Sequence, residues 1–221
     1  MAEKTSTRMR AIIGITGKAG SGKDTVALMI NKLLGNKYHV RRYSGKLKEV
    51  ASILLGVPVE KFEDQEYKKS TLGGEWNNIT VREFLQTLGT DCVRYGLHDD
   101  AWVIALWNDY KEEDVYYTSP IDLIGSYPNN PKVIHRVSNK EQSLPNWIIP
   151  DVRFNNEADA ITDRRGLIIK VQRPGIKTMD HASENELETI IPHYTIINDG
   201  SFFDLEHKTK RMINYLEEHF K

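Results

Sequence analysis

The chain has a single cysteine in 221 residues, Cys92, so no internal disulfide can form and stability does not rest on an oxidising compartment. It has no excess of charge: 30 basic against 31 acidic residues give a formal net charge of -1, too little to draw in DNA, RNA or anionic lipid. Polymeric nucleic acid and membranes are therefore not expected partners. No run approaches the roughly 20 apolar residues of a membrane span, and Met1–Arg10, expected to fray, carries no apolar core of signal-peptide length. The cytoplasm is the expected compartment. The histidines, His181 and His193 among them, lack metal-ligand spacing, so a structural zinc is not expected. Nothing suggests a Ser-His-Asp hydrolase, and internal repeats and low-complexity tracts are missing too.

What is present is concentrated near the start. The apolar run Ala11-Ile12-Ile13-Gly14-Ile15-Thr16 leads directly into Gly17-Lys18-Ala19-Gly20-Ser21-Gly22-Lys23-Asp24-Thr25. A strand ending in a glycine-rich turn that opens a helix aims several backbone N–H groups into one concavity, where the helix dipole adds partial positive charge. Gly17, Gly22 and Lys23 fit the spacing G-x-x-x-x-G-K, in which the lysine reaches the β and γ phosphates of a nucleotide. The Ser/Thr that usually follows the lysine is replaced by Asp24, with Thr25 one position later. The loop, Gly17 and Ala19 through Thr25, is read as an ATP site.

The rest of the chain alternates strands with helices. Strands are expected at Arg10–Thr16, Tyr38–Tyr43, Trp147–Pro150, Leu167–Gln172 and Tyr194–Ile197; the first is apolar on both faces, as a buried parallel strand is. Helices are expected over Thr25–Leu34, Lys46–Leu55, from the capping pair Thr80/Glu83 through Val93, after Asp99, over Asn155–Arg165 and after Ser201. Glu60–Asn78, charged and glycine-containing, reads as a mobile surface segment suited to closing over a ligand. The stretch from about 112 to 146 is rich in Tyr, Pro and Asn, with β-like runs at Val115–Thr118 and Lys132–Val137, and is expected to form an inserted lobe. The architecture predicted is α/β: one P-loop domain over 1–221, a three-layer α/β/α sandwich around a mostly parallel sheet.

With a triphosphate on the loop, charges at strand ends are candidates for handling the phosphoryl group. Asp151 falls at the carboxyl end of a buried strand, where it would hold Mg²⁺ or accept a hydrogen bond from substrate, or else cap a helix. Arg153 suits bidentate phosphate binding or a surface bridge to Glu157. Arg82 lies in a first helical turn, and with Arg94 flanks Leu88-Gly89-Thr90-Asp91, a polar interruption of the helix. Gly89 there serves close packing, ligand approach or a kink. Trp102 is either core or a base-stacking platform.

These blocks resemble the deoxynucleoside monophosphate kinases of tailed bacteriophages. The likeness lies in Ser21-Gly22-Lys23-Asp24-Thr25, Val81-Arg82 with Leu85-Gln86 and Leu88-Gly89-Thr90-Asp91, and Trp102-Val103. It continues in Pro150-Asp151-Val152-Arg153 with Glu157-Ala158-Asp159, Val171-Gln172-Arg173-Pro174-Gly175 and Ile197-Asn198-Asp199-Gly200-Ser201. The resemblance implies transfer of the γ-phosphate of ATP to a deoxynucleoside 5′-monophosphate with Mg²⁺ as cofactor, in the host cytoplasm if the gene is viral. It makes Asp24 a family feature and leaves either Asp24 or Thr25 to meet the metal. It further implies that Lys23, Arg82, Asp151 and Arg153 are catalytic. Asp24, Arg82, Gly89, Thr90, Trp102, Asp151, Arg153 and Glu157 would line the monophosphate side, and a homodimer is common in the family. The 112–146 stretch departs most from the family pattern. Two alternatives stay open here: a small P-loop kinase acting on an acceptor hydroxyl, like dephospho-coenzyme A kinase, and a nucleotide-binding module without transfer activity.

Overall fold

The computed structural model describes residues 12–117, 139–176 and 186–220; the expectations for Met1–Arg10, the run Lys132–Val137 and His181 fall outside them. Two compact units are distinguished, 110–145 and the remainder. In the larger, five strands form an all-parallel sheet: β1 (Ile12–Thr16), β2 (Tyr38–Val40), β5 (Asn146–Val152), β6 (Leu167–Gln172) and β7 (Tyr194–Ile197), in the order β2-β5-β1-β6-β7. The smaller unit contains the antiparallel pair β3 (Glu113–Tyr117) and β4 (Asn139–Ser143), in register from Glu113 opposite Ser143 to Tyr117 opposite Asn139.

Alternation along the strands builds a core on each face of the sheet. On one face Ile13, Ile15, Ile148, Ile169 and Val171 meet Val26 and Ile30 of α1 (Lys23–Leu33) and Met212 and Leu216 of α7 (Phe202–His219). On the other, Gly14 leaves bare backbone against α6 (Asn155–Thr162): a Cβ there would lie 2.6 Å from Ile161 Cδ1. Trp147 stacks at 5.6 Å on Trp107 of α5 (Ala101–Trp107), fixing that helix to the same face. The result is an α/β/α sandwich, with every strand running toward one loop-bearing edge.

Three boundaries differ from expectation for identifiable reasons. Strand β5 runs through Pro150 instead of ending there; Pro150 has no N–H for the ladder, and the register against β1 gains a residue between Gly14/Ile149 and Thr16/Val152. Helix α2 (Tyr43–Leu55) begins three residues before the predicted Lys46, because Asp151 of β5 accepts hydrogen bonds from the amides of Tyr43 and Ser44 at 3.1 and 2.9 Å. A cap supplied from a distant strand leaves no local signal.

The third difference is larger. Glu60–Asn78, expected to be a mobile surface segment, is ordered as a 3-10 turn (Val59–Glu63), α3 (Gln65–Lys69) and a second 3-10 turn (Gly74–Trp76). Phe62 is fully buried, and Tyr67, Leu72 and Trp76 pack with Ala51, Val81 and Phe84 into a second small core. The anchors are spaced irregularly among charges, so no periodicity betrays them. Helix α4 (Val81–Gln86) opens with the predicted Thr80/Glu83 capping box and passes into a π-helix over Thr87–Tyr95.

Candidate functional site

The loop after β1 is made by backbone. Gly17 has φ 145° and a Cβ there would lie 2.2 Å from Val171 O; Gly22 has φ 100° and a Cβ would lie 2.7 Å from Asn198 Nδ2. Both positions demand glycine twice over, by conformation and by space. Asn198, just past β7, donates from Nδ2 to Ser21 O at 2.8 Å and so pins the crest of the loop to the sheet edge. Lys23, 9% exposed as the first residue of α1, donates from Nζ across the loop to Lys18 O at 2.9 Å. The hydroxyls of Thr16 and Ser21 are buried with no hydrogen-bond partner among the described residues. Ala19 and Gly20 form the outer turn, half-buried and exposed.

A cavity of about 280 Å³ opens between this loop and the ends of β6 and β7, lined by Gly17, Lys18, Ser21, Lys170, Arg173 and Glu188 among others. Glu188 spans it: its carboxylate meets Lys170 at 2.6 Å and Lys18 at 3.3 Å. The hydrogen bond from Lys170, then that from Lys18, holds the Glu188 carboxyl below its ordinary range, burial working the other way.

On the opposite side of the loop, Asp24 accepts from Arg42 at 2.5 Å, while Thr25 is half-buried in the first turn of α1. Beyond Arg42 lies a cluster of cations from separate elements: Lys48 of α2, Lys68 of α3, Arg82 of α4 and Arg153 after β5. Burial, then the charge of Lys48, pushes the Lys68 ammonium below its ordinary value; Arg82 and Arg153 push the same way and Glu63 opposes. Glu63 is held below the carboxylate range, against its own burial, by a 2.6 Å hydrogen bond from Lys48 and by the charges of Lys48, Lys68 and Arg42. Arg82 reaches Gln65 of α3 at 3.4 Å.

Beneath this cluster the remaining predicted residues are bound to protein groups. Asp151 caps α2 as described. The Arg94 and Glu157 side chains, 3% and 5% exposed, pair at 3.0 Å. Glu157 Oε2 accepts from the backbone N–H of Arg153 at 2.8 Å, and Oε1 takes Arg94. Burial raises the Glu157 carboxyl to about 7, against the hydrogen bond from the Arg153 backbone; the charge of Asp151 adds to the rise and that of Arg94 opposes it. Arg94 also stacks on Phe154 at 3.6 Å and donates to Asn156 at 3.1 Å. Trp102 is buried and donates its indole N–H to Gly89 O at 2.8 Å, while a Cβ on Gly89 would lie 2.9 Å from Leu47 Cδ2. Gly89 therefore serves close packing against α2, and Thr90 is half-buried beside it.

The fold thus gathers Arg82 and Arg153 into one cationic cluster and joins it to the loop through Asp24 and Arg42. It holds Glu157, Gly89 and Trp102 in the layer behind. Sequence reasoning missed Arg42, Lys48, Lys68 and Asn198. The one available signal was that Asn198 stands in the Ile197–Ser201 block. Among the described residues no group of three or more His, Cys, Asp or Glu side chains is disposed to hold a metal, and no helix is long and apolar enough to cross a membrane.

Comparison with known proteins places this geometry. No family model matches the chain. An Acanthamoeba polyphaga mimivirus protein, provisionally named a deoxynucleotide monophosphate kinase, is 31% identical over 189 residues, covering 81% of this chain and 83% of its own. The deoxynucleoside-5′-monophosphate kinase of Escherichia phage T5 is 27% identical, covering 86% of this chain and 90% of its own. The deoxynucleotide monophosphate kinase of Enterobacteria phage T4 is 28% identical, covering 69% and 58%. Among solved structures, a dephospho-CoA kinase from Campylobacter jejuni aligns over 95% of this chain and 98% of its own at 13% identity, with a TM-score of 0.43. On the mimivirus match, with its length and identity, the chain belongs to the deoxynucleotide monophosphate kinase family.

Proposed function

We propose that the chain transfers the γ-phosphate of ATP to a deoxynucleoside 5′-monophosphate, giving ADP and the diphosphate. The observation that carries this reading is the pairing of two anion-holding regions of different make. One is the backbone cradle of Gly17–Lys23, and the other is the cationic cluster of Arg82, Arg153 and their neighbours. The Asp24–Arg42 ion pair lies between them. A second phosphate-bearing substrate accounts for the second region.

In this reading a phosphate oxygen of the monophosphate attacks the γ-phosphorus, the bond from that phosphorus to the β–γ bridging oxygen breaks, and ADP leaves with the electron pair. The protein supplies position and charge. Loop amides and Lys23 hold the β and γ phosphates, Lys23 exchanging its hydrogen bond to Lys18 O for the nucleotide. The buried hydroxyl of Ser21, without a partner among the described residues, lines the cavity of about 280 Å³ that would take the rest of the donor. Arg82 and Arg153 orient the acceptor phosphate in line. Asp151 and Glu157 act mainly by position, the first through the start of α2 and the second through the Arg153 backbone. Gly89, Thr90 and Trp102 would shape the acceptor's nucleoside side from behind.

The hard oxygen donors near Lys23 suit Mg²⁺, which keeps waters and substrate phosphates as most of its ligands. Thr25 would hold the ion, because one Asp24 carboxylate oxygen is engaged by Arg42. When bound, Mg²⁺ neutralises charge on the β and γ phosphates. The proposal includes cytoplasmic action on free nucleotides, polymeric nucleic acid and membranes playing no part, with a homodimer as one assembly to test. It also takes 1–221 as one kinase domain bearing an inserted lobe at about 112–146.

ADP release with ATP·Mg²⁺ and each deoxynucleoside monophosphate in turn, then dephospho-coenzyme A, tests the reading. Acceleration by at least one monophosphate is expected, and acceleration by none overturns it. Lys23→Ala should cut acceptor-dependent turnover by about 10²–10³-fold.

A further inference from the structure

Lysine is seldom buried, yet Lys170 is 8% exposed in the middle of the sheet. It stands in β6 opposite Thr16, the last residue of β1 before the phosphate loop. Alternation along the strand sends its neighbours Ile169 and Val171 into the core against α1 and α7 and sets Lys170 on the other face. Its ammonium donates to Glu188 at 2.6 Å, and Lys18 of the loop meets the same carboxylate at 3.3 Å. The pairing is lopsided, the Lys170 side chain being 10% exposed and that of Glu188 46%. A desolvated lysine held by a carboxylate that water still reaches is a weak device for stability, and an apolar residue in the strand would serve the fold as well.

The surroundings point to a ligand. Among the described residues the cavity of about 280 Å³ beside the loop is lined by three cations, Lys18, Lys170 and Arg173, against the one carboxylate of Glu188. Ser21 lines it too, with its hydroxyl buried and lacking a hydrogen-bond partner among those residues. An unpaired buried hydroxyl costs free energy that a phosphate oxygen would recover. The backbone carrying Glu188 is fastened on both sides: Leu187 is buried, and Asn155 at the start of α6 donates to Glu186 at 3.3 Å and to Thr189 at 2.8 Å. The carboxylate thus enters the cavity from a fixed turn, and rotation of its own side chain suffices to take it out to solvent.

We propose that Glu188 is a displaceable stand-in for a phosphate of the donor nucleotide: its carboxylate holds the Lys18 and Lys170 ammonium groups until ATP binds, and a phosphate then takes its place. This rests on reading the loop as the ATP site, and it adds to that site a phosphate-binding lysine outside the loop and an internal competitor. A triphosphate carries more negative charge than one carboxylate and meets the loop amides as well, so it wins the exchange. No covalent bond changes; the ammonium groups trade one anion for another. Without nucleotide, the carboxylate keeps the buried ammonium compensated. Its displacement lowers the apparent affinity for ATP by the cost of releasing it.

Equilibrium binding of ATP·Mg²⁺, measured by calorimetry with no acceptor present, tests this on wild type, Glu188→Gln, Lys170→Met and the double variant. Glu188→Gln should bind ATP about fivefold or more tighter, because the competing charge is gone. Lys170→Met should bind about tenfold or more weaker, and should fold normally because it releases Glu188 to water. Adding Glu188→Gln to Lys170→Met should gain less than it does in wild type, the carboxylate then competing for Lys18 alone. A merely structural ion pair predicts otherwise: ATP binding unchanged or weaker in Glu188→Gln overturns the proposal, and so does ATP affinity within about twofold of wild type in Lys170→Met. Failure of the kinase reading shows separately, as no acceleration by any monophosphate while ATP binding still tightens in Glu188→Gln. If wild type binds no ATP, inorganic triphosphate is the probe: tighter binding in Glu188→Gln supports the exchange, and equal or absent binding ends it.

Discussion

Around the phosphate loop the groups that would face an anion are backbone amides and two buried hydroxyls, and the side chains nearby are mostly satisfied within the protein: Lys23 on Lys18 O, Asn198 on Ser21 O, Lys18 and Lys170 on Glu188. Around Lys68 the groups are charged side chains, the cations Lys48, Arg82 and Arg153 and the carboxylate Glu63, which Lys48 engages at 2.6 Å. The first region holds its charged side chains in internal hydrogen bonds and ion pairs and costs conformational freedom, which glycine absorbs locally. The second costs electrostatic energy, which only the fold can sustain, and it does so by tying the cluster to a buried layer. Arg94 and Glu157 are the centre of that layer, and the comparison can be broken there first.

Arg94→Ala would remove the guanidinium that offsets the burial of Glu157, next to the Arg153 backbone it holds, and would leave buried hydrogen-bonding groups without their partner. A loss of about 3–5 kcal/mol in unfolding free energy is expected from urea denaturation, the largest effect foreseen on the acceptor side. Lys23→Ala, on the donor side, should change stability far less than it changes turnover. Equal stability losses from the two substitutions would erase the distinction between a region built on backbone and one built on a buried ion pair.

A smaller effect follows from the Glu157 carboxyl, raised to about 7 by its burial. In the unfolded chain an ordinary glutamate ionises near 4.3, so between roughly pH 4.3 and 7 the native protein holds a proton that the unfolded chain has released. The stability this group contributes is therefore fully present below about pH 4.3 and is lost as pH rises through about 7. Unfolding free energies of wild type and Glu157→Gln at pH 5 and pH 7.5 isolate it: wild type should lose more stability than the variant over that interval. Parallel behaviour would mean that Arg94 and the two amides keep Glu157 ionised throughout.

How much of this was legible follows the same division. The phosphate loop, the parallel sheet and the capping box at Thr80 were all readable, because each is written in neighbouring residues: glycines at fixed offsets, an apolar run, a Thr three residues before an acid. What could not be read depends on residues far apart. Asp151 starts α2 from more than a hundred positions away, so the helix boundary was missed. Lys48 and Lys68 look like solvated lysines until the second core brings them against Arg82 and Arg153, and that core was itself hidden by the charges between Phe62, Tyr67 and Trp76. Arg82 and Arg153 were named because short blocks carried them, and their convergence is a property of the fold.

Trp102 sharpens the comparison at the finest scale, because its sequence position allowed either a core residue or a base-stacking platform, and it lies buried behind the acceptor side. Its indole N–H meets Gly89 O within a π-helical stretch, a conformation often found at functional sites, and Gly89 in turn lies close against Leu47 of α2. Trp102→Phe keeps an aromatic face and removes the donor, leaving a buried carbonyl without that partner. The expected cost is about 1–2 kcal/mol in unfolding free energy, with KM for the monophosphate changed less than about threefold. A large rise in that KM with stability intact would put the indole in direct contact with the acceptor. The expected result instead makes it a brace, holding the π-helix so that α4 and Arg82 keep their place over the cluster.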